Sequence, residues 1–507
     1  MKILVYSEIN ATTIEASLGL PEYSYYFVLR EFLPVLEPLG EVIVVTDPGR
    51  EVDVIYREAL ARGEGCLFLS FSPPHRTPLD LECPTVPVFA WEFDSIPTQS
   101  WYDRPEHDWR HGLARCGRAI VHSTFTAQTV RDALGADFPV VSVPAPVWDK
   151  FQAVRKAASL PREARYELNI ARGVLFDTRD LSLEPWMPGP DAVAAAVAAA
   201  RGQVPVSDSP SPEQAPEPLP VAPSLPSATA PRVSALRITL RYLAEWYRLV
   251  WRDSLPTPLT SLINRLRPSR PAVVAPLPEV SPWEPAPRHL TLEGVVFTAV
   301  FNPYDGRKNW VDMLTAFCSA FRDTADATLV FKLGHHEYRE AIEGMLMGLA
   351  RLPAFRCRVV ILHGYLDKMA YQNLIQATHF VVNASHGEGQ CLPLMEYLSC
   401  GKPAVAPRHS AMSDYIDGDV AFVVDTWLDA TAWPHDPRLA YRTCRHQIDW
   451  TSLVQAYSRA YHCAVQEPER YRQMSVTAIE RLQRHCSQQV ARERLLHFLN
   501  LDETPGP

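Results

Sequence analysis

Asn383-Ala-Ser-His-Gly-Glu-Gly-Gln-Cys-Leu-Pro-Leu-Met-Glu-Tyr-Leu-Ser-Cys-Gly-Lys-Pro403 decides how the rest of the chain is read. The apolar run Phe380 to Val382 before it has the make-up of a buried strand. A small-residue loop follows, then a short helix entered through Pro393 and ended by Gly401, the proline-in, glycine-out asymmetry of helix ends. Strand, loop and helix start in this order favour an anion, because the first amides of a helix lack acceptors and face the positive end of its dipole. The loop Gly387 to Leu392 supplies such amides. Glu388 in the loop and Glu396 one turn into the helix bracket it, placed to hold hydroxyl groups on either side of a pyrophosphate.

The pattern Ser385-x-x-Glu388-Gly389-x-x-Leu392-Pro393-Leu394-x-Glu396-x-x-x-x-Gly401-Lys402-Pro403 resembles the signature of the retaining, GT-B-fold glycosyltransferases grouped as family 4 (group 1). The resemblance is stronger over 290–425 than over 1–150 and does not extend to the segment between. It implies that Glu388 contacts the donor sugar, that Glu396 contacts the nucleotide ribose, and that the backbone of Gly387, Gly389, Gln390, Cys391 and Leu392 meets the sugar or diphosphate. Cys391 stands where the family often has glycine, which narrows the pocket.

A chain of 507 residues is long enough for two or three domains. A net charge of −9 argues against a general nucleic-acid binder, which needs clustered Lys and Arg. Ten cysteines without a C-x-x-C pair suit reduced thiols better than disulfides or zinc, and Cys391 and Cys400 read as packing. His335, His336, His379 and His386 form no ligand pattern, so no bound metal is expected. Met1 to Ser7 lacks the apolar core of a secretory signal, and no run of about 18 apolar residues occurs. A cytoplasmic protein is expected, either free or peripheral at the inner face of a membrane.

From residue 1 the chain alternates apolar strand runs (Lys2 to Ser7, Glu41 to Thr46, Cys66 to Phe71, Val86 to Ala90, Ala119 to His122, Val140 to Val143) with helical patterns over 25–39 and 109–116. This predicts a doubly wound α/β domain over 1–150. The loop Glu8 to Glu22 reads either as a ligand-side loop or as a plain connection. At the end of the fourth strand, Trp91-Glu-Phe-Asp94 puts carboxylates where side chains face a cleft. Glu92 or Asp94 stands where many family members carry a catalytic-site histidine, with Trp91 and Trp101 able to stack on a sugar. The plain alternative pairs Glu92 with a neighbour such as Arg104.

Residues 151–289 read as an insertion. Residues 185–290 hold 21 of the 46 prolines, and Val204 to Pro231 has too few large apolar residues to offset the entropy of ordering. Residues 232–270 carry eight Arg among Leu240, Tyr242, Trp246, Tyr247 and Trp251, a basic amphipathic helix that either docks on an anionic membrane or packs on the protein's own surface.

Strand and helix alternation resumes at Gly294. The strand ending at Asn302 leads through Asp305-Gly-Arg-Lys-Asn309 into a helix with Asn309 as its expected N-cap. Arg307 and Lys308 beside that helix start suit a phosphate. By the resemblance, Lys308 and an arginine hold the donor diphosphate; Arg307 is given the second role, although the family's arginine usually stands a few residues earlier. The resemblance also makes Gly364 part of a base-binding turn. The expected architecture is therefore a GT-B fold: α/β, two Rossmann-like doubly wound domains facing a cleft. These are 1–150 on the acceptor side and 290–450 for the nucleotide sugar, with a long Pro/Ala-rich insertion between them and helices over 451–507 returning to the first domain. The expected activity is transfer of a sugar from a nucleotide sugar to a glycan or lipid-linked acceptor with retention, using Glu388, Lys308, Arg307 and Glu92 and no metal or other cofactor. The alternatives are a silent glycosyltransferase-like protein that binds a nucleotide sugar or partner, and a membrane-docked assembly factor.

Overall fold

The computed structural model describes residues 1–9, 23–101, 104–156, 165–189, 193, 282–434 and 436–499. The first domain is built on β1 (Lys2–Ser7), α1 (Tyr23–Leu36), β2 (Glu41–Val44), α2 (Pro48–Ala61), β3 (Cys66–Phe71), β4 (Thr85–Phe89), α3 (Trp109–Cys116), β5 (Ala119–Val121), α4 (Thr124–Leu134) and β6 (Val140–Ser142). Its sheet has the order β2-β1-β3-β4-β5-β6, and every pairing is parallel. Because helices cover a parallel sheet on both faces, its strands are apolar throughout, as Ile3, Leu4 and Val5 are. Asp108 and Ser123 cap α3 and α4 by accepting from the Arg110 and Thr126 amides.

After the short α5 (Gln152–Lys156), the chain enters β7 (Tyr166–Asp177) and returns in β8 (Ala286–Leu292). The second domain continues as β9 (Val295–Phe301), α6 (Trp310–Ala320), β10 (Ala327–Leu333), α7 (Arg339–Ala350), β11 (Arg358–His363), α8 (Lys368–Ala377), β12 (Phe380–Val382), α9 (Leu392–Ser399), β13 (Ala404–Pro407) and β14 (Ala421–Val424). Its sheet has the order β14-β13-β12-β9-β10-β11-β7-β8, parallel except for the antiparallel β7 and β8. The two sheets are the two Rossmann-like domains expected.

The expected extent of the insertion is corrected at both ends. Residues 166–177 and 286–289, read as part of the insertion, extend the second sheet. The alternation of Leu168 and Ile170 with exposed Glu167 and Asn169 marks a strand with one buried face. Leu290 and Leu292 meet them over Val330, Val360 and Leu362. A buried ion pair locks these strands on: Arg358 at the start of β11 donates to Asp177 at the end of β7 (2.5–3.1 Å) and to the Thr291 carbonyl in β8 (2.7 Å). Residues 204–231 and 232–270, read as linker and basic helix, lie outside the described residues, as does most of the loop 8–22.

A hairpin absent from the sequence reading follows β14: β15 (Thr426–Ala432) and β16 (Tyr441–Ile448) pair with each other alone. Then α10 (Trp450–Gln466), α11 (Pro468–Cys486) and α12 (Gln488–Leu499) close the described chain. Leu495 and Leu499 of α12 join the first domain's core, and Arg494 donates to the Ser142 carbonyl in β6 (2.8 Å).

Arg358→Met leaves the buried Asp177 carboxylate without its cation and should cost about 3–5 kcal/mol, read as a lower thermal midpoint. Arg358→Met with Asp177→Leu should recover most of that loss. An unchanged midpoint in the single variant would show that β7 and β8 hold without the pair.

Candidate functional site

The site forms where β9 and β12 end. Asp305 accepts from the Arg307 amide (3.2 Å) and fixes a tight turn over Gly306–Lys308. Asn309 then takes a left-handed backbone (φ 49°), so it stands at the N-cap position of α6 without capping it; its side-chain amide donates to Asp312 instead (2.8 Å). That turn sends Arg307 and Lys308 in different directions. Arg307 binds Asp305 through two nitrogens (2.7 and 3.1 Å) and Glu92 of the first domain through Nη1 (2.6 Å). Lys308 Nζ sits evenly on both Glu388 oxygens (2.8 Å each).

Glu388 is 4 % exposed and has further donors in Asn383 (2.9 Å) and Ser385 (2.6 Å), while its own amide donates to Ser410 Oγ (3.0 Å). Burial alone would raise its carboxyl, but Lys308 and Arg307 outweigh that and hold it at about 2. Glu92 behaves oppositely. Burial dominates there and, with Asp305 and Glu388 nearby, raises it against the pull of Arg307. Three carboxylates (Glu92, Asp305, Glu388) thus share two cations.

A second ion cluster surrounds Glu396. Lys150, between β6 and α5, donates to Glu396 Oε1 (2.6 Å) and to Glu31 of α1 (2.8 Å), and the Tyr371 hydroxyl donates to Glu396 Oε2 (2.6 Å). Each oxygen of the expected ribose carboxylate therefore has a donor from the chain itself.

The loop between the glutamates is pressed against the first domain. A Cβ on Gly389 would lie 2.7 Å from the Ala90 Cβ, and one on Gly387 3.0 Å from the Glu92 carbonyl oxygen. Gln390 Oε1 accepts from the Ala145 amide (3.1 Å), and Leu392 packs on the apolar core that the two domains share. Cys391 is left-handed (φ 60°), a conformation that suits the glycine the family often has there, and its thiol meets Asn383 (3.2 Å). Asn309, Cys391 and Ser410 are three of the four described non-glycine residues with positive φ, and all flank the Lys308–Glu388 pair. Strain clustered in this way marks a site whose surroundings over-determine it. The cavity lined by Lys308, Asn383, Ser385 and Glu388 measures about 10 Å³, room for one water.

Other expected residues are engaged elsewhere. A Cβ on Gly364 would lie 2.6 Å from the Arg172 carbonyl, so this glycine admits β7. Trp91 is buried against Phe93 and Trp109, and Trp101 stacks on His107; neither offers a free face to a sugar. Asp94 accepts from Thr443 Oγ1 (2.7 Å) and the Cys444 amide (2.9 Å) of β16. Glu92 pairs with Arg307 and not with Arg104, which is exposed. Sequence reasoning missed Asp305, Asn383, Ser385, Ser410, Lys150, Glu31 and Tyr371. Asn383 and Ser385 stood inside the quoted stretch, within five residues of Glu388; Lys150 and Glu31 gave no local signal, being 246 and 365 positions from Glu396. Among the described residues, no group of three or more His, Cys, Asp or Glu side chains is placed to hold a metal ion, and no helix is long and apolar enough to cross a membrane.

Residues 294–433 match the family model for glycosyl transferases, group 1. That segment contains Lys308, Glu388 and Glu396, so the match to group 1 glycosyltransferases covers the second domain's part of the candidate site. A search of curated proteins finds no match. Similar solved structures include Anabaena HepE in complex with UDP and glucose (10% identity, TM-score 0.45, 99% of each chain covered). A glycosyltransferase from Rickettsia africae (9%, 0.47, 99% of each chain) and a sucrose-phosphate synthase from Thermosynechococcus elongatus (12%, 0.47, 99% of this chain and 98% of that one) are also similar. These TM-scores lie below 0.5, and the functional reading rests on the group 1 glycosyltransferase match and on the site itself.

The depressed Glu388 pKa makes a stability prediction. Its folded value of about 2 lies below the ordinary 4.5, so its contribution is present above about pH 4.5 and is lost as pH falls toward 2. The difference corresponds to roughly 3 kcal/mol. Thermal midpoints measured from pH 6 to pH 2 should fall more steeply for the natural chain than for Glu388→Gln; parallel curves would show that Glu388 is not the group responsible.

Proposed function

We propose that the chain is a retaining glycosyltransferase that moves a hexosyl group from a nucleotide sugar to a glycan or lipid-linked acceptor without a metal. The observation that carries this reading is the Lys308–Glu388 pair at the carboxyl end of the second sheet, beside Arg307 and inside the segment that matches group 1 glycosyltransferases. A sugar leaving its nucleotide puts negative charge on the diphosphate. Lys308 and Arg307, partly desolvated by the two domains, are the groups to stabilise it, and a fixed donor of this kind is typically worth about 3–4 kcal/mol in the transition state. Glu388, kept ionised, orients the donor sugar through its hydroxyls. Glu396 takes the ribose hydroxyls once it exchanges Lys150 for them, with the backbone of 387–392 beside the diphosphate. Glu92 faces the acceptor from the first domain after a phosphate takes its place on Arg307. Peripheral attachment through 232–270 belongs to the same proposal and suits a lipid-linked acceptor.

The way both glutamates and both cations are already paired favours a second reading, a nucleotide-sugar-binding protein without catalysis. Incubation with a panel of nucleotide sugars and glycan or lipid extracts separates the two. The enzyme reading expects release of nucleoside diphosphate, with a fall of roughly 100-fold or more in Lys308→Ala. Ligand-induced thermal stabilisation without turnover would favour the binding protein, and neither effect would defeat both.

A further inference from the structure

We propose that the chain closes its own donor site with two side chains of the first domain. The Glu92 carboxylate stands on Arg307 where a phosphate would, and the Lys150 ammonium stands on Glu396 where ribose hydroxyls would. A nucleoside diphosphate then enters only by displacing both. This rests on the donor-site reading above and names the regulation of that site.

The two internal ligands match the chemistry of what they displace. Glu92 offers an anionic oxygen to a guanidinium at 2.6 Å, the interaction a phosphate oxygen makes. Lys150 donates to a carboxylate at 2.6 Å, as a ribose hydroxyl would, and adds a positive charge that the hydroxyl lacks. Both come from one side of the cleft and reach partners on the other. Lys150 is held by Glu31 as well, which ties the bridge to α1. Between the two bridges the loop leaves no room for a ligand: Gly387 and Gly389 lie against Ala90 and Glu92, and the cavity beside Lys308 takes one water.

Further contacts seal the same boundary. Asp414 accepts from the Thr124 amide (2.8 Å), Gln390 from the Ala145 amide (3.1 Å), and Asp94 from the β16 backbone (2.9 Å). Pairs that must break before a ligand binds reduce its apparent affinity by the fraction of molecules that are open. Glu92 gives way to another anionic oxygen and Lys150 to hydroxyl donors, so the nucleotide restores the hydrogen bonds that opening breaks. The device is a lock that its own substrate releases.

The test uses the full chain with uridine, adenosine and guanosine diphosphates, in Glu92→Gln and Lys150→Gln. Glu92→Gln keeps shape and a hydrogen bond while removing charge, so it carries the test if Lys150→Gln fails to fold. Backbone hydrogen exchange over 387–392, without nucleotide, should rise several-fold in the variants. Calorimetric affinity for at least one diphosphate should rise about tenfold. Unchanged exchange together with equal or weaker binding overturns the lock and leaves the donor reading standing. Faster exchange with no diphosphate bound by any form overturns the donor reading and, with it, the claim that a nucleotide releases the closure.

Discussion

A carboxylate that is 4 % exposed has lost most of its water, and the structure around Glu388 follows from replacing that water. Bringing an ion out of water costs several kcal/mol even after relaxation, and the cost is offset only when the partner's geometry is good and the remaining lone pairs are used. Lys308 meets both oxygens equally, while Asn383 and Ser385 complete one of them. Reaching that arrangement requires the chain to turn sharply at three places. Asn309, Cys391 and Ser410 take left-handed backbones to do it, a cost the surrounding packing must carry.

The same accounting extends across the cleft as a series of alternating charges. Asp305 and Glu92 share Arg307; Glu396 and Glu31 share Lys150. In each group carboxylates outnumber cations, so each cation is held from both sides of the domain boundary. This makes the boundary a set of charged bridges over a continuous apolar core, to which both Leu394, Met395 and Tyr397 of α9 and Val5, Val88 and Ile120 of the first sheet belong. Apolar packing of this kind does not by itself choose one relative placement of two sheets, whereas ion pairs with fixed geometry do.

Much of the architecture was legible because parallel strands are apolar on both faces and recur between helices. Lys2 to Ser7, Cys66 to Phe71 and the 109–116 helix were read at the bounds the structure has. What escaped was structure whose signal is half as strong. β7 alternates, with Leu168 and Ile170 buried and their neighbours exposed, and the proline-rich sequence after it drew it into the insertion. The β15–β16 hairpin has no continuous apolar run; its exposed Trp427 and Tyr441 and buried Thr443 defeat a simple pattern. In the site, charged residues close in sequence were legible by type and spacing. Their partners were not, because Lys150 meets Glu396 and Glu92 meets Arg307 only after two domains fold and dock.

Glycines separate what a motif says about chemistry from what it says about packing. Gly364 was read as part of a turn for a nucleobase, yet the backbone it admits is the chain's own β7. Gly387 and Gly389 were read as a cradle for a diphosphate, yet Gly387 lies against Glu92 and Gly389 against Ala90 across the domain boundary. A glycine reports only that something approaches closely; it does not say whether that neighbour is a ligand or another strand. Lys308 and Glu388 are different in kind, because a half-buried cation on a buried carboxylate is costly to keep where apolar side chains could pack instead. The weight of the donor-site reading therefore rests on the charged residues, and the loop between them is accounted for by the closure of the two domains.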